Sequence, residues 1–446
     1  MSSRRALFVA FALGVAACRN SCHSPPPPVD QTALPPVPFA AVLDAQVVPE
    51  VLPRCRGDGP SIAIPGEDVV VGEALVTETQ IAIGVVRKDG DKRVASIVLT
   101  PHDLASVKTI DVGPSLGDDP PPALRQNGKT LYAAFFARKS GADAGAAQKI
   151  PVGTPNVTRE LSIAKIEGNA VGAPMGTVQQ HADESLAFDF AWTQGGASPI
   201  VAWDEDAPPP EGKLGADRGL VKVQILGEAA RTASPDGTDA EAPRLVARPG
   251  GYWLAWIAKR PEKHASPSSA KDDAGYEPEG PGEHRAFRWV EVVALDAKGK
   301  EASPVRRITP ERGHVVTFEL TMGAGGAFVL AQDEGAASEG AGGRIVRHAL
   351  EEKEKAEVIH LADAGVGHAL AELTLPSLAG PRWVAWTDTA ERVHVAPITA
   401  DLKTSGAGSL EPAFEGSRLL ATGNGNTVYA AVMTQGVSLR RFTCVP

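Results

Sequence analysis

The chain has 446 residues, of which 43% are hydrophobic, and its formal net charge at pH 7 is −10. This acidic balance argues against binding to nucleic acid and against electrostatic attachment to anionic lipid, because both partners attract Lys and Arg. Charged partners should therefore be basic or carry a metal ion. The hydrophobic content suffices for a sizeable core, in one large closed fold or in two to three domains.

Residues 1–17 have the three regions of a secretory signal peptide. Arg4 and Arg5 form a basic head, an apolar run covers residues 6–15, and two alanines follow. The apolar run is well short of the roughly 20 residues that a membrane-spanning helix needs. We therefore expect this leader to be removed after export.

The end of the leader, Val15-Ala16-Ala17-Cys18, resembles the lipobox of bacterial lipoproteins, in which an aliphatic residue and two small residues precede an obligatory cysteine. The resemblance implies that Cys18 carries a diacylglycerol and palmitate-like acyl chains, and that it becomes the mature N-terminus. Two or three acyl chains make attachment to a membrane effectively permanent. Arg19 stands where an aspartate indicates the inner membrane in enterobacteria, which favours the outer membrane.

The alternative is cleavage after Ala17 by the ordinary signal peptidase, which also accepts Val-Ala-Ala. The product would be a secreted or periplasmic protein in which Cys18 and Cys22 are free to pair. The position of a cysteine directly after the small residues favours lipidation.

Residues 18–53 have the composition of a tether. Prolines at 25–28 and at 35–36 favour extended polyproline geometry, and few side chains in this segment can build a core. We expect the folded domain to cover residues 54–446.

The four cysteines stand at positions 18, 22, 55 and 444. In an oxidising compartment, cysteines just inside both ends of a domain are well placed to pair with each other. The sequence therefore predicts a disulfide between Cys55 and Cys444. Two buried free thiols, or a bridge that starts from Cys22, remain as alternatives.

An apolar segment with a small residue in its middle recurs along the chain. Clear copies are Ile200–Trp203, Trp253–Trp256 and Trp383–Trp386, and four weaker copies bring the number to seven. The weaker copies are residues 81–85, 131–135, 327–331 and 428–432. A strand and a tight turn precede most copies, and further alternating strands follow them. Each repeat is thus predicted to be four antiparallel strands.

Four-stranded units in series are typical of a β-propeller, in which ring closure protects the sheet edges. The sequence therefore predicts an all-β fold, a propeller with seven four-stranded blades. The last unit is one strand short, and residues 61–71 are a candidate for the missing strand. Six or eight blades, or tandem β-sandwiches, are the alternatives.

The repeats differ mainly by four long insertions, at residues 139–158, 206–218, 259–286 and 334–343. All four fall between the second and third strands of their units, so they should share one rim of the ring. If the protein acts through a site on its surface, that site should lie at this rim. These segments are rich in Ala, Gly, Pro and Ser, and the alternative is that they are tolerated loops without a role.

Acidic residues follow the second strand of three units. They are Asp204-Glu205-Asp206, Asp333-Glu334 and Asp388. They could line a site for a cation or a basic peptide, but the spacing of a calcium loop or a zinc site is absent, and we predict no metal and no cofactor. Tryptophan rings can stack on the faces of sugars, and the recurring segment contains Trp203, Trp256 and Trp386. Packing in the core between blades explains these three residues better.

No motif for a catalytic nucleophile or for a nucleotide-binding loop is present, and we predict no catalytic residue. The chain is thus interpreted as a lipid-anchored binding or assembly module at the cell envelope, monomeric, with an unknown envelope protein or ligand as partner. Its overall plan is similar to the propeller lipoprotein of the outer-membrane protein assembly machinery. The alternative is a hydrolase or lyase that uses the central funnel, which requires three or more charged side chains converging on the axis.

Overall fold

The computed structural model describes residues 54–445 with gaps, of which the longest are 138–158, 208–217, 260–286, 334–343, 361–369 and 374–381. The chain divides into two units, Met1–Glu50 and Val51–Pro446, and the described residues belong to the second. The predicted signal peptide, Cys18, Cys22 and the tether lie outside the described residues. Among those that are described, no helix has the length and hydropathy to cross a membrane.

The described strands form seven sheets, which we number in chain order. The first two strands, β1 (Arg54–Gly57) and β2 (Ile62–Ala63), belong to the last sheet. Sheet 1 contains β3 (Glu67–Val76), β4 (Gln80–Asp89), β5 (Lys92–Pro101) and β6 (Lys108–Pro114). Sheet 2 contains β7 (Ala123–Asn127), β8 (Thr130–Ala137), β9 (Arg159–Glu167) and β10 (Ala170–Gln180). Sheet 3 contains β11 (Phe188–Ala191), β12 (Ile200–Ala207), β13 (Arg218–Ile225) and β14 (Arg231–Thr232).

The remaining four sheets continue the same order. Sheet 4 contains β15 (Asp239–Arg248), β16 (Gly251–Lys259), β17 (Arg288–Asp296) and β18 (Arg306–Arg307). Sheet 5 contains β19 (Val315–Gly323), β20 (Gly326–Asp333), β21 (Arg344–Ala349) and β22 (Ala356–His360). Sheet 6 contains β23 (Leu370–Leu373), β24 (Trp383–Thr387) and β25 (Val393–Pro397). Sheet 7 contains β26 (Leu410–Glu411), β27 (Arg418–Thr422), β28 (Thr427–Met433) and β29 (Val437–Val445), together with β1 and β2.

The first strands of successive sheets contact one another around a closed circuit. Each of β3, β7, β11, β15, β19, β23 and β27 contacts the next, and β27 contacts β3. In sheets 1 to 6 the other strands follow outward in chain order from the first strand. In sheet 7 the order outward from β27 is β28, β29, β1 and β26, so β27 takes the place of the first strand although β26 precedes it in sequence. Sheets arranged in this way around an axis form a β-propeller, so the predicted all-β propeller fold is confirmed.

The recurring apolar segment forms the second strand of its sheet, and both of its faces are buried. In β16, Leu254 and Trp256 pack with residues of sheet 3, whereas Trp253 and Ala255 pack with residues of sheet 5. A strand that is covered on both faces needs apolar side chains at consecutive positions instead of alternate ones. This burial explains why the segment is continuously apolar.

The small residues within these segments allow neighbouring sheets to approach closely. A Cβ atom on Gly84, in β4, would lie 1.8 Å from the carbonyl oxygen of Pro122, which precedes β7 in the next sheet. No side chain fits at that distance, so the backbone contact between sheets 1 and 2 requires glycine here.

Both ends of the domain meet in sheet 7. Strand β1 pairs antiparallel with β29, and Cys55 lies directly opposite Cys444. A disulfide bond joins these two cysteines, and both are fully buried. The bond links positions 389 residues apart in sequence, and so fastens the N-terminal strand to the C-terminal one.

The strand that completes sheet 7 differs from the one that the sequence indicated. The sequence placed it within residues 61–71, but Arg54–Gly57 supplies it, and only Ile62–Ala63 of the expected segment pairs with β29. Residues Glu67–Val76 instead form the first strand of sheet 1. The expectation failed because Arg54–Gly57 is short and polar, and it is a strand only through its pairing partner.

The four long insertions interrupt sheets 2 to 5. Their flanking strands are β8 and β9, β12 and β13, β16 and β17, and β20 and β21. In every case these are the second and third strands of the sheet, as predicted. The insertions at 139–158 and 334–343 lie wholly outside the described residues, as do residues 208–217 and 260–286 of the other two.

Candidate functional site in the central channel

The first strand of each of sheets 1 to 5, the strand nearest the axis, contributes one charged residue to a cluster. These residues are Glu73 on β3, Arg125 on β7, Asp189 on β11, Arg244 on β15 and Glu319 on β19. We call this set the axial cluster.

Direct contacts connect the axial cluster across four successive sheets. The Nη1 atom of Arg125 donates to Oε2 of Glu73 over 2.5 Å, and its Nη2 atom donates to Oδ1 of Asp189. The other carboxylate oxygen of Asp189 accepts a hydrogen bond of 2.7 Å from the backbone nitrogen of Leu245, on sheet 4. Each polar contact thus joins the first strand of one sheet to the first strand of the next.

Burial differs along this chain of contacts. The side chain of Asp189 is 2% exposed, whereas those of Arg125 and Glu73 are 27% and 31% exposed. Desolvation raises the pKa of the Asp189 carboxyl group above its ordinary value, although the nearby Arg125 acts in the opposite direction. Three hydrogen bonds to its oxygens, from Arg125, Phe190 and Leu245, hold this carboxyl group in place.

The two guanidinium groups are held charged by the carboxylates around them. Burial lowers the pKa of Arg125, but Asp189 and Glu73 more than offset this, so that its pKa lies above its ordinary value. The same holds for the pKa of Arg244, which burial lowers and Glu319 and Glu73 raise. Glu73 is on sheet 1, Arg244 on sheet 4 and Glu319 on sheet 5, and the first strands of these sheets all belong to the closed circuit around the axis, which places the charged groups near enough to influence one another.

Arg244 has a donor that the contacts of the described residues leave unused. Its Nη1 atom donates to the carbonyl oxygen of Pro243 over 3.1 Å, but its buried Nε atom has no hydrogen-bond partner. Three members of the cluster, Glu73, Arg125 and Asp189, join neighbouring sheets by direct hydrogen bonds. The arrangement therefore places three carboxylates and two guanidinium groups on the first strands, and it uses these three to join sheets.

Two of the acidic residues singled out in the sequence, Asp204 and Glu205, make contacts within the fold. Asp204 is 2% exposed, and its two oxygens accept hydrogen bonds from the backbone nitrogens of Ala187 and Ala242, at 3.0 and 2.8 Å. The second of these bonds connects sheet 3 to sheet 4. Asp204 is thus a bridge between strands, and its oxygens are already occupied.

Glu205 is also engaged internally. Its Oε2 atom accepts a hydrogen bond of 3.0 Å from the indole nitrogen of Trp203 and lies 2.9 Å from Nζ of Lys222. The side chain of Asp333, as well as Glu334 and Asp388, lies outside the described residues. Within the described part of the chain, no three His, Cys, Asp or Glu side chains are grouped as a metal ion would require.

The tryptophans of the recurring segment are core residues, as predicted. Trp203, Trp256 and Trp386 are 1%, 0% and 0% exposed, so none of them presents a face to a sugar.

No sequence motif marks the axial cluster, although the sequence contains a weak pattern at its positions. In the first strands of their units, Asp189 stands between Phe188 and Phe190, and Glu319 stands between Phe318 and Leu320. A single charged residue between two apolar ones fits the solvent face of any half-buried strand. Only the closure of the ring brings these positions together.

No family model matches the chain, and no curated protein matches it. Solved structures of similar fold include a puromycin-hydrolyzing peptidase of Mycobacterium tuberculosis, with 10% identity, a TM-score of 0.48 and coverage of 87% of this chain and 54% of that chain. This chain therefore spans about half the length of that peptidase. The β-propeller domain of Cps50 (Swd1) from Myceliophteria thermophila has 10% identity, a TM-score of 0.46 and coverage of 86% and 99%.

A third solved structure is the polysaccharide lyase Uly1, with 9% identity, a TM-score of 0.47 and coverage of 90% of this chain and 94% of that chain. Likenesses at this level of identity concern the fold alone. The function therefore has to be argued from the residues of this chain.

Proposed function

We propose that this chain is a lipid-anchored module of a bacterial cell envelope, most consistent with the outer membrane, which presents a β-propeller to a protein or ligand. The lipobox-like Val15–Cys18 segment supports the anchor, because it follows a basic head and an apolar run, and the cysteine has the required position. Residues 18–53 would then hold the propeller away from the membrane as a proline-stiffened tether.

We further propose that the propeller has seven blades. Six of the described sheets have at least four strands, and sheet 6 has three. Next to β25, Ile398 forms an antiparallel bridge with Thr404, where a fourth strand would pair. A short fourth strand at this position would make sheet 6 equivalent to the others, and the circuit of first strands already includes it.

The hydrogen bonds within the axial cluster are the observation that favours binding over catalysis. Arg125 is bonded to two carboxylates, and Asp189 is bonded to Arg125 and to two backbone nitrogens. A general acid or base must exchange its proton with a substrate, and these groups are held by neighbouring strands instead. The rim that carries the four insertions is the surface we assign to the partner.

A second candidate is a hydrolase or lyase that acts in the central channel. The convergence of three carboxylates and two guanidinium groups on the axis favours it, because that is the condition which a channel enzyme must meet. In this case Arg244, whose buried Nε atom has no hydrogen-bond partner among the described residues, would face the substrate together with Glu319. Chromogenic glycosides and peptides test this candidate. Their turnover by the wild-type protein, and the loss of that turnover in Glu319→Gln, would support it.

Fractionation of cells that express the full chain tests the anchor. We expect Cys18→Ala to move the protein from the membrane to the soluble fraction, because no lipid can then be attached. Cys22→Ala is the matched control and should stay with the membrane. A Cys18→Ala protein that still pellets with membranes, and is not extracted by high salt, would show that the anchor is wrong.

The binding half of the proposal is tested by cross-linking in intact envelopes. A partner held by the insertion-rich rim should cross-link to the full chain and be lost when residues 262–281 are deleted. The deletion should leave thermal unfolding unchanged, since strands β16 and β17 on either side of it pair directly. An unchanged set of cross-linked neighbours would contradict the assignment of this rim.

A further inference from the structure

A second concave site lies between sheets 1 and 2, away from the axial cluster and the insertions. It is a cleft of about 430 Å³, a size that suits a small ligand. The residues that line it include three lysines and three apolar residues, Lys108, Lys129, Lys165, Leu99, Leu131 and Ile166. We call it the lysine cleft.

The lysine cleft opens on the face opposite the insertions. Gln80 follows the turn between β3 and β4, Lys129 lies in the turn between β7 and β8, and Gly168 lies in the turn between β9 and β10. These turns join first to second strands, or third to fourth strands, whereas the insertions join second to third strands. A ligand of the cleft would therefore leave the insertion-rich rim accessible.

The floor of the cleft is apolar and its rim is basic. Leu99, Leu131 and Ile166 belong to the core cluster between sheets 1 and 2, and each is 6% to 8% exposed. Three ammonium groups surround this floor, in a chain whose net charge is −10. The local sign of charge is thus opposite to that of the protein as a whole.

The three lysines differ in how strongly they are held. Lys108 donates to the carbonyl oxygen of Gly168 over 2.6 Å and to the side chain of Asn169, and so fixes one end of the cleft across the two sheets. Lys165 lies 2.9 Å from a carboxylate oxygen of Glu167, and both of these side chains are about half exposed. Lys129 is exposed at a turn. Lys129 and Lys165 can therefore turn toward a ligand at little cost, while Lys108 maintains the shape of the site.

We propose that the lysine cleft binds a small organic anion that carries at least two carboxylate or phosphate groups on a body of about one sugar or aromatic ring. The ring would cover the apolar floor, and the anionic groups would pair with Lys129 and Lys165. Charge-assisted hydrogen bonds of this kind are stronger than neutral ones, and because Lys129 and Lys165 are exposed to solvent, added salt should weaken them.

Isothermal titration calorimetry on the full chain tests the proposal, with benzene-1,3,5-tricarboxylate and fructose 1,6-bisphosphate as probes. The two probes distinguish carboxylate from phosphate ligands. Saturable binding of either probe is expected in 50 mM NaCl, weakened several-fold in 300 mM NaCl. If neither probe binds, the proposal is wrong.

The site is assigned by a matched pair of double variants. Lys129→Ala with Lys165→Ala should lower the affinity at least tenfold. Lys298→Ala with Lys300→Ala removes the same charge from an exposed turn of sheet 4 and should change the affinity less than twofold. Equal losses in both double variants would show that the probes respond to net charge alone, and would overturn the proposal. Circular dichroism should show the same melting temperature for all three proteins, because the substituted side chains are largely exposed.

Discussion

Sheet 4 is joined to sheet 3 in two ways that differ in chemistry. Away from the axis, Leu254 and Trp256 are buried among apolar residues of sheet 3. At the axis, the contact is the hydrogen bond from the backbone of Leu245 to Asp189, which is itself paired with Arg125 of sheet 2. The apolar contact is non-directional, and any side chain of suitable volume maintains it. The polar contact depends on particular atoms, and so it fixes how each first strand is aligned with the next.

The difference between these regions has a consequence for substitutions. Shortening an apolar side chain should cost free energy in proportion to the volume removed, whereas removing one member of the polar chain leaves a buried charge without its partner. Substitutions in the two regions should therefore differ in how much stability they cost.

The largest effect is expected for Trp256→Ala. Its side chain is fully buried between sheets 3 and 4, and the substitution should lower the free energy of unfolding by about 4 kcal/mol. Since the indole nitrogen has no hydrogen-bond partner among the described residues, Trp256→Phe should cost only about 1 kcal/mol. Urea unfolding measures both values.

The control for this series is Met322→Ala, because Met322 is 44% exposed. It should change stability by less than about 0.5 kcal/mol. A Trp256→Phe variant as unstable as Trp256→Ala would contradict the view that volume alone decides this contact.

The next effect is expected for Arg125→Met, which leaves the buried Asp189 without its charged partner. The loss should be about 2–3 kcal/mol, at the low end for a buried pair because Arg125 itself is 27% exposed. Adding Asp189→Asn should recover part of this loss, since the amide removes the charge and its oxygen still accepts from Leu245. A double-mutant cycle by urea unfolding measures the coupling.

Lys403→Met provides the control for Arg125→Met. Lys403 lies 3.1 Å from Asp401, and both side chains are more than 60% exposed. The variant should lose less than about 0.5 kcal/mol. Equal costs for the two variants would show that the polar chain at the axis contributes no more than a surface ion pair.

The smallest effect concerns His348, on β21. Burial lowers its pKa from 6.5 to about 4, and its Nε2 atom has no partner among the described residues. Between pH 6.5 and pH 4 the unfolded chain binds a proton at this histidine and the folded protein does not, so stability should fall as the pH falls through this window. After allowance for solvent screening, the contribution is about 1–2 kcal/mol.

Thermal unfolding between pH 7 and pH 4 measures this contribution, compared between wild type and His348→Gln. The variant should lose less stability on acidification than the wild type. His360→Gln is the control, because this histidine is exposed at the end of β22, and it should retain the wild-type dependence on pH. Parallel curves for wild type and His348→Gln would contradict the prediction.

Much of the architecture could be predicted from local pattern. The second strand of each sheet is covered on both faces, so its residues are continuously apolar, as in Trp253–Trp256 and Trp383–Trp386. Repetition of that pattern indicated the propeller, and the breaks in it located the four insertions. These features depend only on which side chains avoid water, and that preference is encoded residue by residue.

The strand that closes the ring and both candidate sites depended on tertiary structure. Arg54–Gly57 has no apolar pattern, and its strand conformation comes from pairing with β29 beside Cys444. The axial cluster takes one charged residue from each of five sheets, and the lysine cleft takes its lysines from strands and turns of two. A lone charged residue in a strand has the same local sequence whether it faces bulk water or the channel. By itself, therefore, the sequence determined the blades and their cores, while closure of the ring decided which polar residues meet.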